Sequence, residues 1–388
     1  MDFNFTKEQQ ILRQSLREFI DREIRPTANQ VDENPGITMD YWRKLSAQGY
    51  MGIPFPTEYG GLGMDVTSYV MAEEEIAHAC PSLALAIATH NGATMYLYLH
   101  GTEEQKQKYM VPFAKGDWIS AGGGTEPNAG HDFGMMESTA VLDGSEWVLN
   151  GRKCFISNAS RANCHTMLFM TDKSKGTRGL SCFIIEADRP GISVPKVESK
   201  LGTHGMPSCD IVYKDVRIPK ENLLGQEGRG YLVTLGAADR GRLAYAASEI
   251  GAAQFCLEQA TKHAAERVQF GQIIGKFQAV QLMLADMAIK TESARLLNYR
   301  AASIYDAEPL EKDGTYARET AMAFVYAGES ARETAHMAVK IFGGYGLMKE
   351  YNLERYMRDI EVFTVIPSPE VLKAYTIGAR MVRRAKTS

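Results

Sequence analysis

A glycine-rich segment, 122-GGGTEP-127, contains residue types suited to binding a flat ring. Three successive glycines let a backbone approach such a ring closely, because no side chain intervenes. The amide and hydroxyl of Thr125 are suited to donate hydrogen bonds to a ring edge that accumulates negative charge. The alternative is an ordinary glycine-rich loop before a Glu-Pro turn. The segment alone leaves both interpretations open.

Arg267 and Phe270 follow a long helical pattern and are typical of a contact with a diphosphate ligand. A guanidinium can hold a pyrophosphate through two hydrogen bonds, and an aromatic ring can pack on the same ligand. The segment 343-GGYG-346 would let the backbone approach that ligand as well. The residue types alone are compatible with such a contact and do not identify the ligand.

Composition excludes several classes of protein. The 388 residues exceed what a single hydrophobic core usually organises, and 45% of them are hydrophobic, so more than one domain is expected. The net charge of −4 and the scattered basic residues argue against a nucleic acid or an anionic membrane as partner. The six cysteines show no CxxC spacing and predict reduced core thiols, with no metal ligands. The N-terminus has no signal-peptide pattern, so a cytoplasmic location is expected.

The period of the hydrophobic residues divides the chain into three parts. It opens with a helical stripe whose first turn contains a capping box of Thr6 and Gln9. The middle part alternates like strands, including two strands around an Asp143-Gly144 turn. Helical spacing then returns, with one clear interruption at 306–314. The pattern predicts an α+β multi-domain chain with a helical domain over 1–118, a β domain over 119–226 and a helical domain over 227–388.

This order carries motifs that resemble those of the acyl-CoA dehydrogenase family over essentially the whole chain. The motifs are 121-AGGGTEPNAGHD-132, 151-GRKCFISNA-159, 217-RIPKENLLGQEGRGY-231, 239-DRGRLAYAASEIG-251, 267-RVQFGQIIGKFQ-278 and 342-FGGYG-346 followed by Arg358-Asp359. Each is weak alone, but six in the family's order make chance agreement improbable. The resemblance implies a middle β-barrel-like domain, a C-terminal four-helix bundle and a homotetramer with one FAD per chain. The implied reaction removes a proton and a hydride from an acyl-CoA thioester, with an electron-transferring flavoprotein as acceptor.

The resemblance also assigns FAD contacts to Thr125, Phe155, Ser157, Arg267, Phe270, Gln278, Lys340, Gly343 and Gly344. By this assignment Phe155 covers the isoalloxazine ring and Ser157 hydrogen-bonds its N5 region. Arg267 is expected to reach the FAD of a neighbouring subunit. Lys340 departs from the family, which usually has Gln there, and could equally lie on a solvated helix face.

Three residues match positions that contact the thioester in the family. His131 stands where the family supplies a serine to the CoA portion, and Asp239 and Arg242 match an Asp-x-x-Arg motif on the helix that lines the substrate channel. The last two are one helical turn apart and so share a face. An isolated pair of this kind is more often a surface ion pair, which is the alternative.

The family's catalytic base is missing. Most members carry a Glu in the C-terminal segment, and the equivalent residue here is Pro367, or Ile366 or Ser368 if the register shifts by one. A second branch of the family places the base directly before the Arg of Asp-x-x-Arg, where this chain has Gly241. Glu370 could be brought into the cleft only by a change of register that Pro367 and Pro369 oppose.

Loss of both bases is compatible with a proton taken from elsewhere. A cyclic enoyl thioester is acidic at its allylic γ-carbon, and the chain is similar to family members that perform 1,4-dehydrogenation of cyclohex-1-ene-1-carboxyl-CoA in aromatic degradation. In those members an Asp acts as base where this chain has Asn91. Asn cannot accept a proton, so either the match is wrong, or His90 or another group acts, or this chain is a variant made to trap its substrate. Asn91 could also be a residue that ordinary members tolerate.

A different class of function uses the same fold without dehydrogenation. It would be a flavoprotein that eliminates or desulfinates a CoA thioester, or a protein that binds a CoA ester without turnover. Bleaching of the flavin by a thioester without oxygen distinguishes a dehydrogenase from both.

Overall fold

The computed structural model describes residues 4–307, 317–366 and 372–382. The N-terminal part is helical, and its helices are α1 (Lys7–Glu23), α2 (Ile37–Ala47), α3 (Val66–Ala79), α4 (Pro81–His100), α5 (Glu103–Gln105) and α6 (Val111–Lys115). The predicted capping box is confirmed, because Thr6 Oγ1 accepts from Gln9 N at 3.2 Å and Gln9 Oε1 accepts from Thr6 N at 3.0 Å. Helix α4 is buried on nearly all sides, as its almost entirely apolar sequence requires.

The middle part is an eight-stranded sheet in the order β6-β7-β3-β2-β4-β5-β8, with β1 paired to β4. Its strands are β1 (Ser120–Gly123), β2 (Thr139–Asp143), β3 (Glu146–Ser157), β4 (Cys164–Met170), β5 (Leu180–Glu186), β6 (Ile192–Val197), β7 (Ser208–Pro219) and β8 (Leu223–Leu224). The predicted hairpin is confirmed: β2 and β3 pair antiparallel around Asp143-Gly144. All six cysteines of the chain are buried thiols, as expected.

The C-terminal part returns to helices. They are α7 (Gly230–Glu266), α8 (Gln278–Ala307), α9 (Ala317–Phe342) and α10 (Leu353–Val365), followed by a π-helical segment, Leu372–Gly378. The prediction of one clear interruption was wrong, because a small hairpin of β9 (Val268–Gln269) and β10 (Gln272–Ile273) separates α7 from α8. Phe270 and Gly271 form its turn with φ of 50° and 77°, a backbone that helical periodicity does not reveal.

Helix α7 holds the three parts together. It packs against α3 and α4 on one side and against α8 and α9 on the other. The middle sheet attaches to α4 through Asn158, whose side-chain amide donates to Ala86 O at 2.9 Å. The end of β3 therefore lies against α4.

Candidate functional site

A β-bulge in β3 turns Phe155 outward. The pairing of β3 with β7 shifts between Lys153 and Ile156, and Phe155 lies in this shift with φ of 58°. Its ring is 64% exposed. A non-glycine residue in left-handed backbone is strained and persists only where its surroundings enforce it. The exposed ring is therefore fixed in place by the sheet, with Ser157 two residues further along, paired with Ser208.

The glycine-rich loop lies directly beside this bulge. The Thr125 carbonyl accepts from Cys154 N at 2.9 Å, which brings Thr125 next to Phe155. A Cβ at Gly123 would come within 2.9 Å of Ile156 Cδ1, and one at Gly124 within 2.6 Å of Met136 Cε. These two glycines are thus needed for close packing of the loop on the protein itself. The arrangement brings Thr125, Phe155 and Ser157 together.

A buried ion pair anchors the loop. Lys153 Nζ lies 2.6 Å from Glu126 Oε1, and both side chains are buried. Glu126 also accepts from the backbone amides of Glu137 and Ser138 at 2.6 and 3.1 Å. Burial alone would raise the pKa of Glu126, but Lys153 and these donors bring it below its usual value. The carboxylate is charged and fully engaged in holding the loop.

A second group of predicted residues lies at the ends of α7 and α9. The Arg267 guanidinium lies 5.4 Å from the centre of the Tyr345 ring, and Phe270 is 94% exposed at the tip of the hairpin. Gly343 has φ of 61°, and a Cβ there or at Gly344 would meet no atom within 4 Å. This exposed patch gathers Arg267 and Phe270 with the 343–346 loop.

Two further predicted residues are exposed helix residues. Lys340 lies in the last turn of α9, and Gln278 begins α8. Either side chain is free to contact a ligand, and the exposed position of Lys340 also fits the alternative of a solvated helix face.

The Asp239-Arg242 pair is buried, so the alternative of a surface ion pair is wrong. Arg242 Nη1 donates to Asp239 Oδ1 at 2.7 Å, and Thr320 Oγ1 donates to the same oxygen at 3.0 Å. Burial raises the pKa of Asp239, and the neighbouring Arg242 opposes that rise. The pair is a desolvated element of α7. His131, by contrast, lies exposed in the loop between β1 and β2.

Of the two α-base positions, the structure describes position 241, where Gly241 offers no proton acceptor. A Cβ at Gly241 would have Tyr245 Cε2, at 3.8 Å, as its nearest neighbour, so a side chain there has room. Ile366 caps the end of α10. Pro367, Ser368 and Glu370 lie outside the described residues.

His90 is not available as a base either. Its Nδ1 accepts from Ser120 N at 2.9 Å, which leaves Nε2 to donate to Phe113 O at 3.1 Å. Burial lowers its pKa to about 4. Both nitrogens are used in fixing α4 to its surroundings, so His90 has no lone pair for a substrate proton.

Asn91 is also buried, at 3% exposure, but its side chain is unsatisfied. Neither the oxygen nor the nitrogen of its amide has a hydrogen-bond partner among residues 4–307, 317–366 and 372–382. Buried amides are nearly always paired, because an unmade hydrogen bond costs about 1–3 kcal/mol. The unsatisfied amide marks Asn91 as a position with unused hydrogen-bonding capacity.

The sequence analysis missed a buried carboxyl group, Glu73, in the run 73-EEE-75 of α3. A run of three charges usually indicates a solvated helix face, yet all three are buried. Glu75 pairs with Arg13 at 2.6 Å and Arg17 at 2.7 Å, and Glu74 with Arg295 at 2.9 Å. Glu73 has no ion-pair partner in the described part of the chain. The one available signal was its place in an otherwise apolar helical segment.

Within the described residues, no helix has the length and apolar character needed to cross a membrane.

Comparison with known proteins agrees with this architecture. The chain matches the N-terminal, middle and C-terminal domain models of acyl-CoA dehydrogenase over residues 6–117, 121–216 and 228–367. It is 41% identical to the short-chain-specific acyl-CoA dehydrogenase of Clostridium acetobutylicum, covering 99% of this chain and 100% of the relative. It is 39% identical to the caffeyl-CoA reductase-Etf complex subunit CarC of Acetobacterium woodii, covering 98% and 100%.

Among solved structures, butyryl-CoA dehydrogenase from Megasphaera elsdenii superimposes with a TM-score of 0.92 at 35% identity, over 98% of this chain and 100% of the other. The fold predicted from the sequence is thereby confirmed. The protein belongs to the acyl-CoA dehydrogenase family, whose members are FAD-dependent oxidoreductases that act on acyl-CoA thioesters.

Proposed function

We propose that this enzyme oxidises a CoA thioester whose acidic hydrogen is not on the α-carbon, with cyclohex-1-ene-1-carboxyl-CoA as the model substrate. The observation that carries the proposal is the open space at Gly241, where a base for the α-carbon would project from α7. A positioned general base contributes about 10²–10⁴-fold to such a reaction. A straight-chain saturated thioester therefore finds no acceptor from α7 for its α-proton.

The residues around the Phe155 bulge fit the flavin of FAD. An aromatic ring held outward on strained backbone offers a flat surface to the isoalloxazine, and Thr125 and Ser157 lie beside it as hydrogen-bond donors. FAD supplies the hydride acceptor at N5. The protein's part is to place the thioester against that atom and to remove the proton.

The thioester would lie along α7. Asp239 and Arg242 are one turn apart on this helix, and their buried ion pair fixes the guanidinium where it can orient the acyl or pantetheine portion. His131 is exposed and free to hydrogen-bond the CoA portion further out. The acyl group would then lie further inside the protein, between α4 and α7, where the residues of those two helices would determine which acyl group fits.

The exposed patch of Arg267, Phe270, Gly343 and Gly344 suits the diphosphate of FAD from a second subunit. Phe270 is almost fully exposed at the hairpin tip. Exposed apolar side chains of this kind are typical of a surface that binds a partner or a ligand. With Gln278 and Lys340 nearby in sequence, this patch supports a homotetramer. We further propose domain boundaries at 118 and 226, a cytoplasmic location and an electron-transferring flavoprotein as acceptor, the last supported by the Etf complex named for a relative.

Oligomer formation and FAD retention should be coupled if Arg267 reaches across a subunit boundary. Arg267→Ala should weaken FAD retention and loosen the oligomer together, measured by flavin absorbance and by sedimentation after dilution. FAD loss with an equally stable oligomer would contradict the cross-subunit assignment. Colourless wild-type protein that cannot be reconstituted with FAD would contradict the flavin site itself.

The substrate class is tested by flavin bleaching near 450 nm without oxygen, using linear, branched, aryl and alicyclic CoA thioesters. Bleaching by cyclohex-1-ene-1-carboxyl-CoA and very slow reaction with butyryl-CoA are expected. Gly241→Glu should raise the butyryl-CoA rate, because its side chain has room to reach the α-carbon. Fast oxidation of butyryl-CoA by the wild type would show that Glu370 or another group serves as α-base.

Asn91→Asp provides the complementary test. A carboxylate there should raise turnover of the cyclic thioester and leave butyryl-CoA oxidation unchanged. If no cyclic thioester responds to Asn91→Asp, position 91 is not near the acidic carbon and the alicyclic proposal fails, while the flavoprotein assignment stands.

A further inference from the structure

Four polar side chains from three helices meet beside the acyl region, and we call them the Glu73 cluster: Tyr69 and Glu73 from α3, Asn91 from α4 and Tyr245 from α7. Glu73 is 1% exposed, and neither of its carboxyl oxygens has a hydrogen-bond partner in the described ranges. Tyr69 approaches both the Glu73 carboxyl and the Asn91 amide closely enough to influence their hydrogen bonding, without a well-formed bond to either. Three helices thus converge on a carboxyl group that the fold does not use.

The cluster borders space that two glycines leave open. Gly92 follows Asn91 on α4, and a Cβ there would meet no atom within 4 Å. Gly241 lies one turn before Tyr245 on α7, and the Tyr245 ring is the nearest neighbour of a Cβ built there. Since α4 and α7 pack against each other, the missing side chains leave room where the acyl group of the thioester is expected.

The arginines that pack against α3 form ion pairs with the neighbours of Glu73 and not with Glu73 itself. On α1, Arg13 and Arg17 pair with Glu75, and on α8, Arg295 pairs with Glu74. The polar groups near Glu73 are the Tyr69 hydroxyl on its own helix and the Tyr245 hydroxyl on α7, and Tyr69 also approaches the Asn91 amide of α4. Burial raises the pKa of Glu73 well above its usual range, and Tyr69 opposes this only in part. The buried environment therefore favours the protonated form of this carboxyl in the ligand-free protein.

We propose that Glu73 is the catalytic carboxyl group that exchanges a proton with the acyl ring of the thioester, replacing the carboxylates missing at positions 241 and 367. This rests on the proposed function and supplies the base that it lacks. A carboxyl poised between its two forms is what proton transfer at a weakly acidic carbon requires.

The reaction balances as follows. The C–H bond at the allylic γ-carbon breaks, its proton goes to a Glu73 oxygen, and its electron pair forms a new carbon-carbon double bond. The existing double bond shifts by one position. The hydrogen on the saturated ring carbon bonded to the α-carbon would leave with its electron pair, and bound FAD would accept it. The thioester thus loses one proton to Glu73 and one hydride, which carries two electrons and the second proton, and bound FAD would be the acceptor of that hydride.

The pH dependence follows from the same step. Glu73 must be ionised to accept the proton, so oxidation of the cyclic thioester should accelerate as pH rises through the raised pKa of Glu73. Below that pKa the carboxyl is protonated and is suited to donate a proton in the reverse, reductive direction. The ratio of the reductive to the oxidative rate should therefore fall as pH rises.

Glu73→Gln keeps the size and removes the titratable oxygen. In the FAD-loaded enzyme it should lower the rate of bleaching by cyclohex-1-ene-1-carboxyl-CoA by about 10²–10⁴-fold. It should also abolish exchange of the γ-hydrogen with deuterated solvent, measured by mass spectrometry of the recovered thioester. Binding of FAD and of the thioester should be unchanged. Adding Asn91→Asp to Glu73→Gln should restore both the exchange and the rate, because it returns a carboxyl group to the cluster.

Glu249→Gln is the matched control. Glu249 is also fully buried on α7 without a partner among the described residues, and burial raises its pKa in the same way, but it faces Gly328 of α9 and Thr364 of α10. This control should retain the rate and the exchange. Infrared difference spectra give a readout separate from turnover: binding of the thioester should perturb a protonated carboxyl band that Glu73→Gln lacks and Glu249→Gln retains.

The outcomes separate the two proposals. Unchanged exchange and rate in Glu73→Gln, or an equal loss in Glu249→Gln, would overturn the role of Glu73 while leaving the proposed function in place. A wild-type enzyme that binds FAD but is bleached by no cyclic thioester would instead overturn the proposed function. If Glu73→Gln fails to fold, Glu73→Met serves in its place because it also removes the carboxyl group, and an unchanged rate and unchanged exchange in that variant would count against the proposal.

Discussion

Glu126 and Glu73 are two buried glutamates of the same chain with opposite environments. Glu126 supports the glycine-rich loop and accepts from Lys153 at 2.6 Å and from two backbone amides. Glu73 lies between α3, α4 and α7 with no hydrogen-bond partner in the described part of the chain. As a result the pKa of Glu126 lies below its usual value and that of Glu73 lies well above it.

The comparison shows how burial alone fails to identify a functional residue. A buried carboxylate with a cation and backbone donors is stable in its charged form, and its role is to hold other residues in place. A buried carboxyl without partners costs free energy in the ligand-free protein, and that cost is recovered only if a ligand or a reaction uses the group. The number of partners distinguishes Glu126 from Glu73, and the position of Glu73 between α3, α4 and α7 distinguishes it from Glu249, which also has no hydrogen-bond partner among the described residues.

The largest effect is expected at Glu126, the carboxylate with a full set of partners. Lys153→Met removes the cation and leaves a buried charge, so the free energy of unfolding should fall by about 3–5 kcal/mol. Chemical denaturation at neutral pH measures this. Lys175→Met, which breaks the exposed pair with Asp172, is the control and should cost less than about 1 kcal/mol. Similar losses in the two variants would mean that Glu126 is not dependent on its partner.

A pH-dependent effect is expected at Glu73, the carboxyl group without a hydrogen-bond partner in the described residues. Between the ordinary pKa of Glu and the raised pKa of Glu73, the unfolded chain releases a proton that the folded chain keeps, so the folded state loses stability as pH rises. Glu73→Gln removes this loss. Its stability relative to the wild type should increase with pH by up to about 1.4 kcal/mol per pH unit. Thermal unfolding of both proteins across about pH 5–8, where proteins are usually most stable, measures the difference. A constant difference would show that Glu73 is ionised or exposed in the folded protein.

The smallest effect concerns the strain that the Glu126 anchor helps to hold at Phe155. Phe155→Gly should raise the free energy of unfolding of the FAD-free protein by about 1 kcal/mol, since glycine adopts a positive φ without cost. Phe155→Ala retains the Cβ and should not share this gain. Both should weaken FAD binding, measured by fluorescence titration. Equal stability of the two variants would mean that the bulge is not strained.

Local features of the fold could be predicted where short-range chemistry decides them. The capping box of Thr6 and Gln9 and the hairpin around Asp143-Gly144 depend on residues within one turn of each other, and both form as expected. The hairpin between α7 and α8 could not be found in the same way, because its turn is formed by Phe270-Gly271 and not by one of the Asn-Gly or Asp-Gly pairs that usually mark a hairpin.

The candidate site also contains residues that could be predicted from the sequence and residues whose environment could not. The motifs around Thr125, Phe155 and Arg267 identified the family because six motifs occur in the family's order, and the cofactor followed from that resemblance. The environment of Asp239 and Arg242 was not accessible in this way, since only the packing of α9 shows that the pair is buried.

The three glutamates of 73-EEE-75 show most clearly what tertiary structure alone decided. Their types and order are identical in the sequence, but successive residues of a helix point about 100° apart and so meet different neighbours. Glu75 faces the arginines of α1, Glu74 faces Arg295 of α8, and Glu73 faces the interior between α4 and α7. The sequence determined that three carboxyl groups would stand side by side on one helix. The packing of helices far away in the chain determined that two are neutralised by cations and that the third is left without one.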